Sequence, residues 1–104
     1  MSHAAGSKST AEGKYSHAEG RETLTCDTAD GAHAEGYQTE TEAPYSHVEG
    51  YKTEISSDAK YSHAEGSEAA IYGNSEGAHA EGRKTEIDYA SYSHVEGYAS
   101  RTFS

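Results

Sequence analysis

Imidazole set beside carboxylate is a pairing that serves acid-base catalysis and metal ligation, and this chain repeats it throughout its length. His-x-Glu occurs as His17-Glu19, His33-Glu35, His47-Glu49, His63-Glu65, His79-Glu81 and His94-Glu96. The seventh histidine, His3, precedes Ala5 where the others precede glutamate, and no histidine lies outside the series. Each pair sits in a pentapeptide of the form small-His-small-Glu-Gly, running Ser2 to Gly6, Ser16 to Gly20, Ala32 to Gly36, Ser46 to Gly50, Ser62 to Gly66, Ala78 to Gly82 and Ser93 to Gly97. The steps from His3 through His94 are 14, 16, 14, 16, 16 and 15 residues. A catalytic centre needs one asymmetric, preorganised pocket, whereas a translational repeat makes near-identical environments, so an enzyme is not expected. There is likewise no Ser-His-Asp or Cys-His set distinct from the repeat, no phosphate-cradling glycine loop and no zinc-type cysteine pair.

The elements that must position these side chains follow from the alternation around them. Within a pentapeptide the residue types alternate with period two, which is a strand signal. Ser16, Ala18 and Gly20 are expected to point one way, and His17 and Glu19 the other. Two variable residues follow each glycine, and then a second alternating stretch: Thr23 and Thr25, Thr39 and Thr41, Thr53 and Ile55, Ala69 and Ile71, Thr85 and Ile87, Ser100 and Thr102. Each unit therefore reads strand, tight turn, strand, longer turn. A helix is excluded because glycine recurs in every unit and the β-branched residues lie two apart.

The 104 residues suffice for one domain, expected to span 1–104. Only 33% of them are apolar, Leu24 is the single leucine, and the net charge is −10, a composition that by itself indicates disorder. A fixed period changes that expectation, because each repeat buries itself against the next. A coil of this length cannot close a barrel, but it can stack on its own copies as a parallel β-solenoid, about 30 Å long at a ~4.8 Å strand spacing. The narrow interior is assigned to Ser16, Ala18, Thr23, Thr25 and their equivalents, since burying a row of histidine and glutamate would cost several kcal/mol for each charge. The His-Glu strip is then external, and it does not drift as the second strand does at Leu24, Glu40, Glu54, Ala70, Glu86 and Arg101. Tyrosines border it: Tyr15, Tyr45, Tyr61 and Tyr92 before the strand, Tyr37, Tyr51 and Tyr98 after it. Amphipathic rings beside a polar strip are residues expected at a protein interface.

The acidic balance argues against nucleic acid and anionic membrane as partners, and no apolar run reaches the ~20 residues of a membrane helix. Cys26 is alone and expected to be an unpaired thiol. The chain enters the repeat at once, without a signal-peptide pattern, as expected for a phage component made in the cytoplasm or for an excised fragment.

The repeat resembles the head repeats of YadA-type trimeric autotransporter adhesins, whose units read small-x-small-x-Gly-x-x-Ser-x-Ala. It is closer to the SHAEG-containing variant of phage and prophage tail-fibre or appendage proteins, and the resemblance runs from Ser2 to Thr102. It implies a left-handed parallel β-roll assembled as a homotrimer. In the adhesin heads the alternate first-strand positions are aliphatic and lie around the trimer axis. The resemblance thus implies a polar trimer interface of His17, Glu19, His33, Glu35, His47, Glu49, His63, Glu65, His79, Glu81, His94 and Glu96.

The resulting expectation is a structural and adhesive domain of a phage tail or bacterial surface, with a cell-surface receptor or glycan as candidate partner. Three alternatives accompany it. Histidines meeting on a threefold axis suit a divalent transition metal, with His17, His33, His47, His63, His79 and His94 as candidate ligands. Against this, each histidine can instead hydrogen-bond a glutamate of a neighbouring protomer, with no cofactor at all. The third, ice binding by Thr-x-Thr ladders, requires those threonines to face solvent. Where imidazole and carboxylate adjoin, the carboxylates are expected to raise the imidazole pKa.

Overall fold

The computed structural model describes residues 2–103, and these form strands and turns only. In chain order the strands are β1 (His3–Ser7), β2 (Thr10–Ala11), β3 (His17–Arg21), β4 (Leu24–Thr25), β5 (His33–Tyr37), β6 (Glu40–Thr41), β7 (His47–Tyr51), β8 (Glu54–Ile55), β9 (His63–Ser67), β10 (Ala70–Tyr72), β11 (His79–Arg83), β12 (Glu86–Asp88), β13 (His94–Tyr98) and β14 (Arg101–Phe103). The odd strands make one seven-stranded sheet and the even strands another, each in the order in which the coils follow one another. All pairings are parallel, and like residues face like: His17 opposes His33, Glu19 opposes Glu35, and Gly20 opposes Gly36. This is the expected all-β parallel solenoid, with extents of 35 × 21 × 12 Å. No helix of the described residues is long and apolar enough to cross a membrane.

Unequal coil lengths do not disturb the register, because all the variation lies in one turn. From each histidine to the inward residue of the second strand the distance is always eight, as in His17 to Thr25 and His79 to Ile87. From Thr41 to His47 it is six, and from Thr25 to His33 it is eight. Insertions in the longer turn thus leave both sheets aligned. The tight turn is paired to the neighbouring coil as firmly as the strands are. Glu22, Gln38 and Lys52 adopt φ of 58°, 57° and 53°, and their N–H groups donate to the carbonyls of Ser7, Arg21 and Tyr37 at 2.8, 2.9 and 2.9 Å. A left-handed conformation costs a non-glycine residue roughly 1–2 kcal/mol, which these ladder bonds and the turns they close offset.

The interior is built from the residues expected there. Ala18, Ala34, Val48, Ala64 and Ala80 are fully buried, as are Thr25, Thr41, Ile55, Ile71 and Ile87 from the facing strands, while Ser16, Ser46, Ser62, Thr23, Thr39, Thr53 and Thr85 are almost so. The buried serines are satisfied locally: the Ser16 hydroxyl donates to the Gly13 carbonyl at 2.6 Å and Ser62 to Ala59 at 2.5 Å. The Thr25 hydroxyl donates across the coil to Ser16 at 2.9 Å. With Thr23, Thr25, Thr39 and Thr41 buried, the Thr-x-Thr pairs that an ice-binding face would display are turned away from solvent.

The repeat glycine departs from the simple alternation. Gly20, expected to point inward with Ser16 and Ala18, is exposed, at φ 117°. A Cβ at this position would lie 2.1 Å from the carbonyl oxygen of Gly36 in the next coil, and the same holds up the stack to Gly82 against Gly97. The glycine is required by how closely the next coil approaches, as well as by its own dihedrals.

Two expected outcomes test this packing. Ala64→Leu should overpack the interior and lower stability by about 1–3 kcal/mol in urea unfolding, whereas Glu54→Leu on the outer face should change it little; equal tolerance would reverse the assignment of the faces. Gly50→Ala, which meets the Gly66 carbonyl at 2.0 Å, should destabilise far more than Gly97→Ala, where the nearest atom is the Ser100 hydroxyl at 3.3 Å.

Candidate functional site

Parallel in-register stacking converts the repeated His-x-Glu into a continuous ladder on the outside of the first sheet. Each histidine opens its strand, and its ring lies over that of the preceding coil: successive centroids from His3 to His94 are 4.6 to 4.9 Å apart, with interplanar angles of 2° to 21°. Glutamate, two residues on, returns to the same face. His33 Nε2 lies 3.2 Å from Glu35 Oε1, and that same oxygen lies 3.7 Å from His47 Nε2. The pattern continues with Glu49 between His47 (3.2 Å) and His63 (3.6 Å), Glu65 between His63 (3.4 Å) and His79 (3.6 Å), and Glu81 between His79 (3.3 Å) and His94 (3.5 Å). Glu35, Glu49, Glu65 and Glu81 therefore each bridge two imidazoles of successive coils, whereas within 4.0 Å Glu19 pairs with His17 and Glu96 with His94. The pairing expected between protomers is made here within one chain.

The bridging is electrostatic more than directional. His17 Nε2 makes a hydrogen bond to Glu19 at 3.0 Å. By contrast the Nε2 atoms of His33, His47, His63 and His79 are shielded from solvent and have no hydrogen-bond partner, despite the nearby oxygens. The side chains themselves are about one-third exposed, for example 36% at His33 and 38% at Glu35. These surroundings correct the expected pKa direction at His33. Desolvation pushes it below the usual 6.5, the charge of His47 and then His17 pushes the same way, and Glu35 and Glu19 only partly oppose them.

The tyrosine borders have a structural cause. Tyr15, Tyr45, Tyr61 and Tyr92 occupy a left-handed turn position, at φ 56° to 61°, that glycine fills in the other coils as Gly31 and Gly77. The Tyr45 ring covers Gly31, its nearest carbon 2.8 Å from where a Cβ would stand, and stacks on Tyr61 at 5.6 Å. At the other end of the strip Tyr37 stacks on Tyr51 at 5.4 Å, and the Arg21 guanidinium lies 5.5 Å from the Tyr37 ring centre. Most of these rings remain exposed, Tyr15 and Tyr92 to 77%.

The second sheet carries a different cluster that sequence reasoning did not single out. The half-buried Cys26 thiol lies 3.7 Å from Glu40 and 4.0 Å from Glu42. Burial first, and then those two carboxylates, push its pKa up to about 12, so the thiol stays protonated at neutral pH. Glu40 is itself raised by burial, then by Glu54 and Glu42. The available signal was the period-two alternation, which puts Leu24 and Cys26 on one outer face with Glu40 and Glu42 above them.

The His33 shift gives a signed pH dependence. A histidine with a lowered folded pKa favours the neutral ring in the native state, so its contribution is fully present above the unfolded value near 6.5 and is lost as pH falls through it toward the lower folded value. Acidification from pH 7.5 to 5.5 should lower the melting temperature, and His33→Asn should shrink that drop. A melting temperature that rises on acidification would show that the carboxylates dominate.

A scan against protein-family models, a search of curated proteins and a search of solved structures each find no match.

Proposed function

We propose that this chain is a structural and adhesive segment of a homotrimeric fibre or head, carried on a phage tail or a bacterial surface, with the His-Glu strip of each protomer turned toward its partners. The observation that carries the reading is the contrast between the outer faces of the two sheets. Both stack in register by the same backbone ladder, and nothing in that ladder demands one outward residue over another. Yet the second sheet drifts through Leu24, Glu40, Glu54, Ala70, Glu86 and Arg101, while the first repeats histidine and glutamate in coil after coil. A surface held constant across a chain whose other surface varies is one that meets a repeating partner. Another copy of the same rod supplies that repeat at the same spacing.

The tyrosine rows support the same reading, since exposed amphipathic rings flanking a polar strip resemble an interface rim. Three is the number implied by the resemblance to YadA-type repeats. The adhesive partner would be a cell-surface receptor or glycan, because a net charge of −10 disfavours polyanions. Sedimentation equilibrium should give close to three times the 11.1 kDa chain mass. Replacing Tyr45 and Tyr61 together by Ser should lower the associated fraction, whereas Glu54→Ser should not. A folded monomer at micromolar concentration would overturn the proposal.

A further inference from the structure

We propose that the ladder is a one-dimensional array of divalent transition-metal sites, each made by two histidines of successive coils and the glutamate between them, and that it fills with three ions per chain. The inference does not depend on trimerisation, because every donor comes from one chain. Among the described residues, five His-Glu-His triads line the strip: His17-Glu19-His33, His33-Glu35-His47, His47-Glu49-His63, His63-Glu65-His79 and His79-Glu81-His94, each offering donor atoms within 4.8 Å of one another.

The geometry suits a small cation that takes imidazole nitrogen. Zn–N and Zn–O bonds of about 2.0–2.2 Å put two donors on one tetrahedral ion roughly 3.3 Å apart. The Nε2 to Oε1 separations of 3.2 to 3.7 Å along the bridged part of the ladder are close to that value, and all donors of each triad lie within 4.8 Å of one another. The two imidazoles of a triad close on the ion by rotating toward the carboxylate they share. A second observation points to a ligand. The Nε2 atoms of His33, His47, His63 and His79 are shielded from solvent and make no hydrogen bond; in the tautomer protonated at Nδ1, each presents a lone pair toward the shared carboxylate oxygens, a site a cation can fill. A metal ion satisfies those nitrogens and the carboxylate at once. With three protein ligands, a fourth position stays open to water.

Stoichiometry follows from the sharing of histidines. An Nε2 lone pair ligates one ion, and consecutive triads have a histidine in common, so adjacent triads cannot both fill. At most three of the five can be occupied, and only as His17-Glu19-His33, His47-Glu49-His63 and His79-Glu81-His94. Three divalent ions also balance the six carboxylates of Glu19, Glu35, Glu49, Glu65, Glu81 and Glu96. Full occupancy thus leaves the strip neutral without protonating any histidine. Imidazole donors select Zn²⁺, Ni²⁺ or Cu²⁺ over the oxygen-seeking Ca²⁺ and Mg²⁺.

The test is a Zn²⁺ titration of EDTA-stripped protein by calorimetry, with metal content measured after desalting and circular dichroism confirming the fold of each variant. The parent chain should take up three Zn²⁺ and should not bind Ca²⁺ at the ladder. Glu35→Gln removes a triad that the filled pattern does not use, and should retain three. Glu49→Gln removes one that it does use, with the same loss of charge, and should fall to two; His47→Asn should also fall to two. Any other parent stoichiometry, equal losses in the Glu35 and Glu49 variants, or Ca²⁺ uptake equal to that of Zn²⁺ would overturn the proposal. Sedimentation of the same samples keeps this outcome separate from that of the trimer, since the ratio is counted per chain.

Discussion

The parallel backbone ladder between coils is the constraint on which everything else rests. It sets the spacing of successive coils at about 4.8 Å and superposes each residue on its counterpart one repeat away. Only glycine tolerates this near the end of the odd strands, where, from Gly6 to Gly82, the next coil's carbonyl occupies the space a Cβ would need. The same bonds run through the tight turns, holding lysine, glutamate and glutamine in left-handed conformations that they would not adopt alone. Sheet, turn and register are thus consequences of one translation repeated along the rod.

Such stacking brings like charges together, a destabilising arrangement between directly opposed residues. The first sheet answers by placing imidazole and carboxylate two residues apart on one face, so that the Glu35, Glu49, Glu65 and Glu81 oxygens each lie between imidazoles of successive coils. A strip that would otherwise be a column of histidines beside a column of glutamates becomes an alternation of imidazole and carboxylate. The second sheet has no such complement. Glu40 opposes Glu54 directly, and its carboxyl is pushed upward by burial, then by Glu54 and Glu42. Variation relieves the strain there: Leu24 and Ala70 interrupt the carboxylates, and Arg101 pairs with Glu86 at 2.8 Å. Composition may drift on one face and must hold on the other because only one face solves the charge problem by design of the repeat.

The interior shows how a chain with so few large apolar residues can fold. Its columns consist of Ala, Ser and Thr with Ile55, Ile71 and Ile87 as the largest members, and the narrow coil leaves room for little more. The hydroxyls are made acceptable by short bonds to the turn carbonyls and to one another. Stability is therefore distributed as nearest-neighbour coil contacts and is not concentrated in a central core, as expected for a quasi-one-dimensional repeat.

Much of this was legible in the residues themselves. Period-two alternation, recurring glycine and the exclusion of charge from a narrow interior determined an all-β parallel solenoid, the inward row through Ala18, Thr23 and Thr25, and the outward row of His17 and Glu19. Those inferences needed only local geometry and the cost of desolvation. What tertiary structure alone decided depends on distances between residues 14 to 16 apart in sequence, which the coil closes to one strand spacing. Whether Glu35 serves His33 or also His47, that Gly20 turns outward against Gly36, that Tyr45 lies over Gly31, and that burial outweighs the carboxylates at His33 all follow from that spacing. An alternation pattern carries direction but no separation, and the ladder's chemistry is set by separation.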